Sequence, residues 1–260
     1  MLKDTLGDRI KSQYENRTQT YLPRRTYTII RLDGKAFHSY TKRLDRPFDY
    51  NFMKVLDETA AHLCGEIQGA EFAYLQSDEI NILLTDFRKI LTNAWFDGNI
   101  QKLTSISASI CTAFFNKRMK EEFGNRVPDF AYFDSRAFTV PDPTEVENTF
   151  IWRQKDCTRN SIQMLARSLY SHKQLHEKKW DELNEMCFKK GINWNSLPAW
   201  AKRGRCIIKK HVPSYSLIEL GKGERIIGEK NFWVSDKEVP IFTQNREYLR
   251  HRIPLYGDVE

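Results

Sequence analysis

Two short stretches carry the residues best suited to chemistry. "IIRLDG" (29–34) is an apolar run ending in Asp33 and Gly34, and "QSDE" (76–79) sets Ser77, Asp78 and Glu79 between two further apolar runs. Carboxylates presented together from neighbouring strand ends suit hard divalent cations, and magnesium in particular is held through one or two carboxylates plus phosphate oxygens. A backbone carbonyl can complete such a site, and Gly34 has no side chain to obstruct its own. Two ions held in this way can stabilise both the attacking and the leaving oxygens of a phosphoryl transfer. Each stretch alone is also ordinary turn chemistry. The metal reading therefore depends on the fold bringing the two together.

The segment after Gly34, "KAFHSYTKRLDR" (35–46), suits an anionic ligand. Backbone N–H groups that follow a strand can cradle phosphates, as helix N-termini do. Phe37 and His38 could flank a nucleotide base or simply pack, and Lys42, Arg43 and Arg46 could meet triphosphate oxygens or stay solvated. Further along, Lys102, Arg136, Arg153, Lys155, Arg159, Lys202, Arg203, Arg205, Lys209 and Lys210 are interleaved with Tyr132, Trp152, Asn160, Trp194 and Trp200. Such a mixture can follow an RNA backbone and stack on exposed bases. The chain has no GxSxG, no P-loop and no HExxH spacing, which removes the corresponding hydrolase, NTPase and zinc-protease readings.

The elements that must position these residues follow from periodicity. Residues 5–17 predict a polar helix with one apolar stripe, Leu6, Ile10 and Tyr14. Residues 26–33 predict a buried strand, and 49–67 an amphipathic helix with Asp49 as N-cap. Residues 71–76 and 80–85 predict a hairpin turning at "SDE", and 99–119 a helix with a stripe through Leu103, Ile106, Ile110 and Phe114. Residues 129–140 predict a strand stopped by Pro141 and Pro143. The order β-α-β-β-α-β is the split β-α-β, ferredoxin-like plan, an α+β fold with an antiparallel sheet and helices on one face. In that plan Asp33 ends one strand beside the turn that carries Asp78. The second half predicts helices over 146–171 and 176–191, strands over 204–212 and 224–236 around the turn-like "GKGE", and a tail with no period. A division into a catalytic core (1–145) and a helical and hairpin region (146–260) serving RNA binding and oligomerisation follows.

Composition narrows the partners. The 41 Lys and Arg outnumber the 34 Asp and Glu for a net charge of +7, which suits a polyanion such as RNA or a nucleotide. The five scattered cysteines include no CxxC pair, so neither a disulfide framework nor a zinc ribbon is expected, and a reducing, cytoplasmic setting fits. Neither a signal core nor a membrane-spanning run is evident, so no membrane partner is expected.

"RLDGKAFHSY" (31–40) followed by "YLQSDEINILL" (74–84) resembles the paired signature of the tRNA-histidine guanylyltransferase family and its 3′–5′ polymerase relatives. "YFDSRAF" (132–138), "WRQKDCTRNSIQ" (152–163) and "AKRGR" (201–205) follow in the family's order, so the resemblance covers roughly residues 5 to 210. It implies a polymerase palm-like domain, two magnesium ions, ATP and GTP or other nucleoside triphosphates as substrates, tRNA as partner, and a homotetramer. Carried over by position, it implies metal binding by Asp33, Gly34 and Asp78, with Glu79 as the supporting acid of the catalytic set. It implies nucleotide contacts from Asp33, Gly34, Lys35, Ala36, Phe37, His38, Ser77 and Asp78. Arg31, Arg46 and Lys102 fall to 5′-end activation and the triphosphate, Arg46 standing where Lys is typical. RNA contacts fall to Arg136, Arg153, Arg159, Asn160, Lys202, Arg203 and Arg205.

One departure bears on function. The eukaryotic guanylyltransferases carry "HINNLYN" after "WRQADC", whereas here "TRNSIQM" follows "WRQKDC" and only Asn160 persists. That pattern resembles the guanylyltransferase-like proteins of bacteria, archaea and some protists, which implies templated repair of 5′-truncated tRNA. Three alternatives stay open on the sequence: strict addition of one guanosine to tRNA-histidine, a nucleotide cyclase-like enzyme, and a non-catalytic RNA-binding module.

Overall fold

Residues 27–34 are buried at nearly every position because the strand they form is covered on both faces. A computed structural model describes residues 5–89, 91–216 and 225–256. Its strands are β1 (Tyr27–Gly34), β2 (Ala70–Gln76), β3 (Glu79–Leu84), β4 (Phe133–Val140), β5 (Arg205–Ser216) and β6 (Arg225–Asp236), joined in one sheet of order β4-β1-β3-β2-β5-β6. All the pairings are antiparallel. The helices are α1 (Thr5–Ile10), α2 (Phe37–Tyr40), α3 (Tyr50–Glu66), α4 (Ile100–Phe123), α5 (Pro143–Leu169), α6 (His172–Leu175), α7 (Trp180–Lys189), α8 (Ala199–Arg203) and α9 (Glu247–Arg250).

The first four strands have the ferredoxin-like order, with β1 central between β4 and β3. Side chains alternate along each strand, so Ile30 and Leu32 of β1 join Leu75, Ile80 and Ile82 under α3 and α4. Tyr27 and Ile29 point the other way, with Phe72, Tyr74 and Leu83, against Val146, Phe150, Ile151 and Cys157 of α5. The core helices thus lie on one face, as expected, and α5 covers the other. Pro143, expected only to stop a strand, opens α5, and Asp142 caps it by accepting from the Glu145 N–H at 2.9 Å. The expected division at residue 145 falls within the first turn of α5, and the two parts share one sheet, since β5 pairs with β2.

Asp49 caps α3 as expected, accepting from the Phe52 N–H at 2.9 Å. Two other expectations are corrected. In α4 the buried stripe is Leu103, Ser107, Cys111, Phe115, Met119 and Phe123, not the line through Ile106, Ile110 and Phe114. The small residues let the helix approach the sheet closely enough for Ser107 Oγ to meet Ser135 Oγ of β4 at 2.8 Å. Phe114 instead stacks on His62 of α3, ring centroids 4.2 Å apart. The helix over residues 5–17 is regular only to Ile10, and Leu6, Ile10 and Tyr14 are all exposed.

The tail, which has no periodicity, is a core element. Val239, Phe242, Leu249 and Ile253 are buried against the sheet face that α5 covers, and the Tyr27 hydroxyl donates to the Pro254 carbonyl at 2.6 Å. The turn-like "GKGE" (221–224) lies outside the described residues.

Candidate active site

The same alternation that buries Tyr27 and Ile29 carries Arg31 and Asp33 onto the α5 face toward the end of β1. On β3 it carries Glu79 and Asn81 to that face, with Gln76 beside them at the end of β2. One end of the interface between sheet and α5 is therefore apolar and the other polar. The polar end opens into a cavity of about 320 Å³, lined by Asp33, the turn Gln76–Glu79, and residues of α5 from Arg153 to Arg167. The fold thus brings Asp33, Ser77, Asp78 and Glu79 together.

Asp78 lies against the backbone of β1. A Cβ built on Gly34 would sit 2.8 Å from Asp78 Oδ2 and 2.3 Å from Phe37 Cδ2, so only glycine admits this approach. Gly34→Ala must displace the Phe37 ring and the Asp78 carboxylate together. The expected outcome is a loss of about 1–3 kcal/mol of stability in thermal unfolding, with activity falling further than that loss explains.

The acids are poised unfavourably on their own. Burial raises the Asp78 carboxyl from 3.8 to about 6, and the charges of Asp33 and Glu79 add to the shift against hydrogen bonds from Ser77 and its own backbone N–H. Burial likewise raises Asp33, with Glu79 and Asp134 adding to it and Arg136 and Arg31 opposing. Asp134 stands directly across from Asp33 on β4.

Glu79 is differently placed, with its carboxylate held by neighbouring side chains. Arg153 donates to both its oxygens at 2.7 Å, Asn81 Nδ2 to Oε1 at 2.7 Å and Gln76 Nε2 at 3.2 Å. Arg153 also donates to Asp156 Oδ2 at 2.8 Å, and Asp156 accepts from Arg159 and Asn160 as well. Arg31 donates through Nε to Asn81 Oδ1 at 2.9 Å. Its guanidinium and that of Arg153 lie over the exposed Trp152 ring, 5.0 and 4.5 Å from the centroid.

Several expected contacts are corrected. Arg205 is fully buried in an ion pair with Asp57, so its guanidinium lies on no surface where RNA could rest, while Arg153 is held as the anchor of Glu79 in the cavity wall. Phe37 is buried among Tyr40, Phe52, Phe115 and Phe133, and its ring cannot flank a base. The Lys35 N–H donates to the Tyr132 carbonyl at 2.8 Å and is not free for a phosphate. The N–H groups at the start of α2, residues 37 and 38, have no partner within that helix. Ala36 precedes them in the left-handed region at φ 56°, and the His38 side chain is exposed.

Arg46 and Lys102 are exposed and are not among the cavity's lining residues. Arg136 is exposed beside Asp134, and Asn160 lines the cavity. Lys202 and Arg203 line a second cavity on the other flank of α5. Asp156, Gln76, Asn81, Gln163, Met164 and Arg167 line the cavity or hold Glu79 and were not singled out from the sequence. The spacing of three between Arg153 and Asp156 on one helix was the available signal for the first.

A family model described as tRNAHis guanylyltransferase matches residues 7–141. Among solved structures, a bacterial tRNA(His) guanylyltransferase-like protein in complex with ATP is 41% identical, with a TM-score of 0.84 over 96% of this chain and 100% of that one. Another, in complex with GTP, is 40% identical with a TM-score of 0.76 over 97% of this chain and 100% of that one. A probable tRNA(His) guanylyltransferase of Dictyostelium discoideum is 28% identical, covering 72% of this chain and 76% of its own. The family match spans more than half of the chain and includes the strands at whose ends Asp33 and Asp78 stand, and the chain belongs to the tRNA(His) guanylyltransferase family.

Proposed function

We propose that this chain is a template-dependent 3′–5′ nucleotidyltransferase that binds nucleoside triphosphates and rebuilds truncated 5′ ends of tRNA. The observation that carries the reading is the approach of Asp78 to β1, which only Gly34 permits and which sets the Asp33 and Asp78 carboxylates around one end of the cavity beside the Gly34 backbone. This donor set fits magnesium, which would be held by Asp33, Asp78 and the Gly34 carbonyl with phosphate oxygens of the substrate. The raised Asp33 and Asp78 carboxyls fit it too, since a divalent cation offsets the repulsion between them. Among the described residues no cluster of three or more His, Cys, Asp or Glu forms an all-protein metal site, consistent with a site completed by substrate. Bound there, the metal supplies charge neutralisation and alignment for phosphoryl transfer.

The chain's own residues position the reactants. The 3′-hydroxyl of the incoming nucleotide attacks the phosphorus of the activated 5′ end, forming the phosphodiester as AMP or pyrophosphate leaves. Asp33 and Asp78 set the site for the attacked phosphate, while Glu79, locked by Arg153, Asn81 and Gln76, holds the turn that presents Asp78. Catalysis of this kind is mainly positioning and charge stabilisation.

Repair, rather than addition of a single guanosine to tRNA(His), is supported by "TRNSIQM" after "WRQKDC" and by the higher identity to the bacterial guanylyltransferase-like proteins than to the Dictyostelium relative. The test compares 5′-truncated tRNAs of several identities with full-length tRNA(His). Extension of the truncated tRNAs at higher kcat/KM is expected, and a preference for full-length tRNA(His) would make the strict guanylyltransferase reading correct.

A further inference from the structure

The turn that presents Asp78 is strained, and it is held from α5. Ser77 stands in the left-handed region at φ 47°, a conformation that a residue other than glycine keeps only where its surroundings impose it. The residues on either side, Gln76 and Glu79, both reach the same pair on α5. Glu79 takes two hydrogen bonds from Arg153, and the Gln76 amide donates to Glu79 Oε1 at 3.2 Å and to Asp156 Oδ2 at 3.5 Å. Gln76 is buried, and its Oε1 has no hydrogen-bond partner among the described residues. Turning the amide over would set that oxygen against two carboxylates, so the two acids fix its orientation.

Asp156 is where this clamp closes. Arg153 Nη2 donates both to Glu79 Oε2 at 2.7 Å and to Asp156 Oδ2 at 2.8 Å, so the guanidinium is fixed from both sides. Asp156 also accepts from Asn160 Nδ2 at 3.3 Å and, through Oδ1, from Arg159. It shares the cavity wall with Asp33 and Asp78, which by residue type would suit a third metal ligand. Its hydrogen bonds argue otherwise. Four donors, two of them guanidinium groups, fill the roughly four acceptor positions that a carboxylate offers. A cation bound there would have to displace Arg153 or Arg159.

We propose that Asp156 is a positioning residue for the metal site and not one of its ligands. Asp156 fixes Arg153, Arg153 fixes Glu79, and together with Gln76 they hold the strained turn so that Asp78 stays against the backbone at Gly34. Partners of this kind, one step removed from a metal, set both its affinity and the reaction rate. This inference rests on the metal-dependent reading given above.

The test uses Asp156→Asn, Asp156→Glu, Glu79→Gln and the double variant Asp156→Asn with Glu79→Gln, all in the full-length chain. Extension of a 5′-truncated tRNA and the thermal midpoint without substrate are each followed over a magnesium series. Asp156→Asn is expected to raise the half-maximal magnesium concentration about tenfold in both measurements and to lower kcat about tenfold. At saturating magnesium, KM for RNA and for the nucleoside triphosphate should hold within about twofold. Asp156→Glu keeps the charge and should recover part of the magnesium affinity. Because Asp156 acts through Glu79, the double variant should be no weaker than Glu79→Gln alone. A lower thermal midpoint with an unchanged magnesium requirement would overturn the proposal by making Asp156 merely structural. Complete loss of the magnesium response would overturn it by making Asp156 a ligand. Multiplying effects in the double variant, or a rise in RNA KM alone, would overturn it by showing that Asp156 acts independently of Glu79. If the wild type extends no tRNA, yet magnesium raises its midpoint and Asp156→Asn weakens that response, the proposed function fails and the positioning role stands.

Discussion

Asp78→Asn is expected to abolish nucleotide addition, by at least about a thousandfold, while making the ligand-free protein more stable at neutral pH. The activity loss follows from removing one of the two cavity carboxylates proposed to hold the metal. The stability gain follows from linkage. Burial raises the carboxyl from 3.8 to about 6 in the folded chain, so between those values the folded state binds more protons than the unfolded state. Stability then falls as pH rises through that window, reaching a penalty of about 3 kcal/mol above it. Asparagine carries no charge and escapes the penalty. Denaturant unfolding in EDTA should place the variant above wild type at pH 7.5 and level with it near pH 4. Magnesium should then raise the wild-type midpoint and leave the variant's unchanged. A variant that is both active and no more stable would remove Asp78 from the site.

The second large effect is structural. Arg205→Met is expected to cost about 3–5 kcal/mol, because it strands Asp57 in the core. Asp57 is buried, and besides Arg205 it accepts from Ser235 Oγ at 2.7 Å. This pair ties α3 to β5, and Ser235 ties it to β6, so the extension of the sheet beyond β2 depends on it. Replacing both partners by apolar residues, Asp57→Leu with Arg205→Met, should recover most of the loss, since the stranded charge goes with its partner. Urea unfolding of the two variants and wild type measures both. A single variant as stable as wild type would contradict the assignment of Arg205 to the core and reopen its RNA-binding role.

Arg205 illustrates what the sequence could and could not convey. "KRGR" looks uniform as text, yet Lys202 and Arg203 line a cavity while Arg205, two residues on, enters a strand and turns inward. Charge type alone does not distinguish these, because the outcome depends on strand register and on an acid 148 residues away. Arg153 likewise pairs with an acid from another element, Glu79, which charge type alone does not reveal. The acids at Asp33 and Asp78 were legible because strand ends and turns are local signals and the split β-α-β order then brings them together. The α4 stripe was misjudged because large apolar residues were weighted over Ser107 and Cys111, whose small size is what allows close packing. The tail was illegible because its anchors, Val239, Phe242, Leu249 and Ile253, are separated by irregular backbone and leave no period to read.

The account rests most heavily on templated addition at a 5′ end, and one measurement addresses that directly. A labelled tRNA lacking its 5′ nucleotide is offered each nucleoside triphosphate separately, with the opposing nucleotide of the 3′ strand changed in turn. The account predicts that the label lengthens at its 5′ end only with the nucleotide complementary to the opposing base, and that the preferred triphosphate switches when that base is switched. Addition of guanosine whatever the opposing base, or no 5′ extension with any triphosphate, would contradict it.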